Sequence, residues 1–366
     1  MTKLHDLYAK QGQSPWLDNL RRDWLLDGTA AAWVDKGVRG MTSNPTIFQK
    51  AMMAGHSYDE QFATLVRNGA SVDDAYWTMV FDDIHSACAL LRSVHDSSGG
   101  DDGFVSLELA PDMARDTASS IEVARRFHEE VAEPNLMVKI PATREGIPAI
   151  EAMVAEGRNI NITLIFGIDR YREVMEAYVS GLESFVASGG DPSGVHSVAS
   201  FFISRVDTEV DRRLESIGSD DALGLRGQAA VAQGKLAYRA FQETFSGPRW
   251  DGLAAKGAHV QRPLWASTST KNPSYAKTLY VDTLIGPDTV NTMPEGTLDD
   301  FEQTGALART VDQDVDRAAA VWEQLDSLGI TPGDVANVLE DEGVASFSKS
   351  FDELSTTLEG QASLLR

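Results

Sequence analysis

Lys139 sits inside an apolar run, Asn135-Leu136-Met137-Val138-Lys139-Ile140-Pro141. An ammonium carried inward by a strand loses hydration, and burial favours the neutral amine. A neutral lysine can attack a carbonyl and form a Schiff base. The alternative is an edge strand that points the lysine at solvent. Similar runs elsewhere end in polar residues. Asp18 follows Trp16-Leu17, Asn44 ends Thr42-Ser43-Asn44, and Glu108 ends Val105-Ser106-Leu107-Glu108. Thr163 lies in Asn161-Ile162-Thr163-Leu164, Ser200 precedes Phe201-Phe202, and Ser267 and Lys271 follow Trp265-Ala266. Together these types make a set for carbonyl chemistry. The amine forms an imine, one carboxylate takes a hydroxyl proton as a carbon–carbon bond breaks, and a second carboxylate with a threonine holds a water.

Each residue also has an ordinary structural use. Asn44 and Asp18 can cap helices, Thr163 is a common strand residue, and Ser200 and Ser267 can satisfy turns. Arg205 can clamp an anion bidentately, or pair with Glu209 one helical turn away. Lys271 can add a point charge. The seven histidines form no His-Glu-x-x-His pair and no cluster with cysteine in the sequence, so no metal is expected. There is also no Gly-Lys-Ser/Thr phosphate loop and no Gly-x-Ser-x-Gly elbow.

These residues need a scaffold that brings strand ends together. Short β-like runs, most of them continuously apolar and each followed by a helical pattern, cover 15–20, 37–44, 103–110, 135–142, 159–166, 196–203, 262–269 and 277–285. Unbroken apolar strands are what a parallel sheet covered by helices requires. Eight strands alternating with helices predict an α/β fold, a (β/α)8 TIM barrel with additional helices, whose active site lies at the C-terminal strand ends. An open doubly wound sheet is disfavoured because no Gly-x-Gly-x-x-Gly turn follows a strand. Helices are expected from a hydroxyl cap near Thr117, over 170–186, 223–245 and 312–328, and from Thr331-Pro332 onward. Phe347, Phe351, Leu354 and Leu358 share one helical face. A single domain over 1–366 is expected, with a barrel core of about 14–294 and the helices of about 295–366 packed on it.

Composition narrows the partners. Apolar residues make up 42 % of 366, enough for a large core. A net charge of −23 argues against nucleic acid and anionic membrane surfaces. An anionic substrate would have to be caught by a local basic cluster. The one cysteine, Cys88, permits no internal disulfide and reads as a buried helical thiol. No apolar run approaches 18 residues and no signal core follows Met1, so the expected location is cytoplasmic.

Five ordered motifs resemble the transaldolases. They are Gly40-Met41-Thr42-Ser43-Asn44-Pro45-Thr46-Ile47-Phe48, Val105-Ser106-Leu107-Glu108, Leu136-Met137-Val138-Lys139-Ile140-Pro141-Ala142-Thr143, Asn161-Ile162-Thr163-Leu164-Ile165-Phe166, and Ser200-Phe201-Phe202-Ile203-Ser204-Arg205. The resemblance spans roughly 14–290 and implies a (β/α)8 barrel with no metal or organic cofactor. It implies a role in the non-oxidative pentose phosphate pathway, with sugar phosphates as substrates. Carried over, Lys139 is the Schiff-base nucleophile and Asp18 the acid/base at a C4 hydroxyl. Glu108 and Thr163 hold the catalytic water, Asn44 binds the dihydroxyacetone unit, and Ser200, Arg205 and Ser267 bind phosphate. One departure stands out. Better-known members carry an arginine two positions after the serine matching Ser267, where this chain has Ser269; Lys271 is the expected substitute. The alternatives are a Schiff-base fructose 6-phosphate aldolase releasing free dihydroxyacetone and a non-catalytic sugar-phosphate barrel. A monomer or homodimer is expected.

Overall fold

In the computed structural model, which describes residues 1–365, eight parallel strands close into a barrel. They are β1 Gln13–Leu17, β2 Met41–Thr42, β3 Val105–Glu108, β4 Leu136–Pro141, β5 Ile160–Ile165, β6 Ser197–Phe202, β7 Arg262–Ala266 and β8 Thr289–Met293. Each pairs with the next, and β8 pairs back onto β1 from Gln13↔Thr289 to Leu17↔Met293. Every residue of β4, β5 and β6 is buried, as strands covered on one face by helices and on the other by the barrel interior must be.

Seven of the eight expected strands lie within or overlap the observed ones. The eighth does not. Lys277-Thr278-Leu279 begins a loop with a short helix, Leu279–Asp282, and the strand follows at Thr289–Met293. The segment 277–285 misleads because its buried residues, Tyr280, Val281, Leu284 and Ile285, make it as apolar as a strand. The helix after Thr117 is capped by Asp116, whose carboxylate accepts from Ser119 N at 3.0 Å. The pattern over 223–245 divides into a turn of helix, Asp220–Leu223, and the longer Ala229–Thr244. Cys88 is fully buried in helix Val72–Ser97, and that burial pushes its thiol well above the usual range.

The last helix, Pro332–Leu365, opens on Thr331, whose hydroxyl accepts from Asp334 N at 3.3 Å. It crosses the C-terminal end of the barrel. Phe347, Leu354 and Leu358 are buried beneath it and Phe351 is half-buried. Thr46 and Ser350 share a hydrogen bond of 2.8 Å that ties it to helix Pro45–Met53. Gly343 allows the closest approach: a Cβ there would stand 3.0 Å from Leu164 and 3.4 Å from Phe166.

Candidate active site

Strand ends, the helix Pro45–Met53 and the last helix enclose a cavity of about 330 Å³ at the C-terminal end of the barrel. Lys139 projects into it from β4 and is 5 % exposed. Its Nζ lies 2.8 Å from Glu108 Oε2 and donates to the Ser43 carbonyl at 3.0 Å. Glu108 and Lys139 are register neighbours on β3 and β4, which is why they meet. The lysine is therefore buried as the sequence suggests, but beside a carboxylate rather than in wholly apolar surroundings. Glu108 stands behind Lys139 and off the cavity wall, 6 % exposed. Burial pushes its carboxyl above the ordinary range, and the Lys139 charge opposes that.

Asp18 follows β1 and borders the same cavity. Burial is the largest influence on its carboxyl and raises it. The Thr42 hydroxyl, donating to Oδ1 at 2.7 Å, and the charges of Lys139 and Lys271 pull the other way. Thr42 also shares a hydrogen bond of 2.7 Å with Thr292. Thr163 on β5 is fully buried, and its hydroxyl has no partner among the described residues although it lines the cavity. The strand is irregular there. Its register against β6 shifts between Ile162 and Ile165, and Leu164 adopts φ of +60°. Such a conformation costs a β-carbon residue on the order of 1–3 kcal/mol and persists only where surroundings hold it.

Asn44 serves both expected uses. Its side-chain oxygen caps Pro45–Met53, accepting from Ile47 N at 2.9 Å, while the residue also lines the cavity. Ser200 donates to Asn161 Oδ1 at 2.7 Å, and Asn161 Nδ2 donates to Ser106 at 2.9 Å. This chain of bonds links β6, β5 and β3 beside Lys139. Ser267, just past β7 with φ of +56°, shares a hydrogen bond of 2.9 Å with Ser204. Glu209 pairs with Arg212 and Arg213 at 2.8 and 2.6 Å, not with Arg205. Among the described residues the Arg205 guanidinium has no carboxylate within 4 Å. It lies over the rings of Phe202 and Phe347 at 5.3 and 5.9 Å. Burial pushes it below its usual range, an effect that a bound anion would relieve. Lys271 stands at the exposed rim, 3.4 Å from the Ser269 hydroxyl.

The cavity gathers every residue expected at the site except Glu108. It also adds several that sequence reasoning missed. Lys50 is a third cation at the mouth, and Ser346 and Phe347 come from the last helix. Asn161 could have been found, because a residue two before Thr163 on a strand shares its face.

A family model described as "Transaldolase/Fructose-6-phosphate aldolase" matches residues 15–358. The chain belongs to this family. Among its relatives, "Transaldolase" of Mycobacterium tuberculosis is 50 % identical over 346 residues, covering 94 % of this chain and 93 % of that protein. "Transaldolase 1" of Streptomyces avermitilis is 48 % identical over 360 residues, covering 98 % and 94 %. "Transaldolase" of Mycolicibacterium smegmatis is 49 % identical over 352 residues, covering 96 % and 95 %. The family match extends into the last helix, to residue 358. Among the described residues no helix is long and apolar enough to cross a membrane.

Proposed function

We propose that this family member is a transaldolase, moving a dihydroxyacetone unit from a ketose phosphate to an aldose phosphate through a Schiff base on Lys139. The observation that carries the reading is a buried lysine amine in contact with a buried carboxylate, on the wall of a cavity that Asp18 also borders. Relatives named transaldolase along nearly the whole chain support transfer over release of free dihydroxyacetone.

Glu108, raised by burial and 2.8 Å from Nζ, is placed to take the proton that leaves Lys139 a nucleophile. The amine adds to C2 of fructose 6-phosphate. The carbinolamine loses water, and Thr163 with Glu108 holds the water that relays protons in this step. Asp18 accepts the C4 hydroxyl proton as the C3–C4 bond breaks, and the electron pair passes into the iminium to give an enamine. Glyceraldehyde 3-phosphate leaves. The enamine attacks an acceptor such as erythrose 4-phosphate, Asp18 returns the proton, and hydrolysis frees the ketose product. Asn44 presents its amide to the dihydroxyacetone hydroxyls. Ser200, Ser267, Arg205 and Lys271 receive the phosphate, with Lys50 across the mouth. The last helix and Phe347 narrow the opening, which shields the enamine from water. One domain, a cytoplasmic location and a monomer or homodimer belong to the same proposal.

The test is borohydride reduction in the presence of fructose 6-phosphate, followed by peptide mass mapping. An adduct on Lys139, with sedoheptulose 7-phosphate formed only when erythrose 4-phosphate is supplied, is the expected result. An adduct elsewhere, or none, would overturn the assignment.

A further inference from the structure

We propose that the opposite end of the barrel carries a site for one divalent transition cation of the zinc type, held by Asp101, His196 and His259. All three precede strands: Asp101 enters β3, His196 enters β6 and His259 enters β7. They therefore gather at the end of the barrel remote from Lys139. In sequence they are up to 158 positions apart, so no ligand spacing betrays them. In space each offers one ligand atom, and these atoms lie within 4.8 Å of one another.

The hydrogen bonding fixes which nitrogen of His259 faces the cluster. His259 Nε2 lies 3.1 Å from the Ser193 carbonyl. A carbonyl only accepts, so the proton of a neutral His259 is on Nε2. Its Nδ1 then presents a lone pair, yet Nδ1 stands 3.0 Å from Asp101 Oδ1, which also presents lone pairs. A metal ion between them would accept from both. His196 favours the metal. Its Nδ1 approaches the same Asp101 oxygen at 3.8 Å, too far for a hydrogen bond, and its ring lies 4.2 Å from that of His259. A proton would join only one pair, whereas a metal draws in all three donors. His196 is buried, with its ring against that of Phe104, so its position is fixed while the other two ligands can adjust. A ligating histidine whose other nitrogen is fixed by a carbonyl is the usual outer-shell arrangement.

Two imidazoles and one carboxylate suit Zn²⁺, Co²⁺ or Ni²⁺ better than Mg²⁺ or Ca²⁺, which prefer oxygen. Ligands at about 2.0–2.1 Å in a tetrahedron stand roughly 3.3 Å apart, so the donors need to close modestly. Asp101 and His259 have side chains 56 and 34 % exposed and can move. A cavity of about 430 Å³ beside them leaves room for water at the open position. The neighbouring Arg262 is held by the Asp101 carbonyl at 2.8 Å and lies 3.7 Å from Asp102. Bound metal would clip together the loops entering three strands.

Equilibrium dialysis of the full chain against Zn²⁺, with metal analysis, tests this without reference to turnover. One saturable equivalent per chain is expected. His196→Gln, His259→Gln and the exposed Asp101→Asn should each weaken it at least about tenfold. Co²⁺ in its place should give visible d–d absorption in the wild type alone, with melting temperature raised by metal only there. No saturable equivalent, or one that survives all three substitutions unchanged, overturns the proposal.

Discussion

At the scale of single residues, the Glu108–Lys139 contact dominates. Lys139→Ala should lower kcat by three or more orders of magnitude, as loss of a covalent nucleophile does, while circular dichroism stays native. A coupled assay that finds more than a few per cent of wild-type turnover would remove the lysine from the mechanism. Arg205 makes a separate prediction. It faces the cavity with no carboxylate partner among the described residues, and bonds to a charged group contribute about 1.5–3 kcal/mol. Arg205→Ala should therefore cut kcat/KM roughly ten- to a hundredfold for fructose 6-phosphate and leave slow turnover of unphosphorylated fructose nearly unchanged. An equal loss on both sugars would deny it the phosphate. The sequence made both residues visible, Lys139 as a charge inside an apolar run and Arg205 as a guanidinium just past the end of one. Lys50 stayed hidden because a lysine on a surface helix is ordinary, and only the fold shows that helix bordering the cavity.

At the scale of elements, periodicity located seven strands and most helices, because burial on both faces leaves an unbroken apolar run. It failed at 277–285, where the packing of a short helix produces the same composition. It also could not show the break in β5, where Leu164 in a left-handed conformation lies against Gly343 of the distant last helix. We expect that packing to hold the turn, and the expectation is testable. Gly343→Val would drive two methyls into Leu164 and Phe166, and overpacking costs about 1–3 kcal/mol. The variant should melt several degrees lower and lose kcat, because Thr163 stands beside the displaced Leu164. A melting temperature equal to the wild type would show that the helix does not hold this turn.

At the scale of the whole molecule, acidity shapes stability. Burial raises the Asp207 carboxyl from 3.8 to about 6, although Ala230 N and the Tyr280 hydroxyl donate to it at 2.7 and 2.8 Å. The folded state thus keeps a proton that the unfolded chain has released. Its contribution is full below about pH 4 and is lost as pH rises through about 6, a swing on the order of 3 kcal/mol. Asp18 and Glu108 shift in the same direction, and self-repulsion at −23 adds to the loss. Asp207→Asn should flatten the dependence. Urea midpoints at pH 5 and 7.5 measure it, and an undiminished pH difference in the variant would acquit Asp207.

Cys88 gives the molecule a built-in clock. The sole thiol lies at full burial inside a 26-residue helix against the barrel. A thiol reagent can reach it only when that helix swings away or the barrel opens. The rate of label uptake in native buffer therefore reports the frequency of that opening, without denaturant and without any engineered probe. Substrate or metal that closes either end of the barrel would be read directly as slower uptake at one atom.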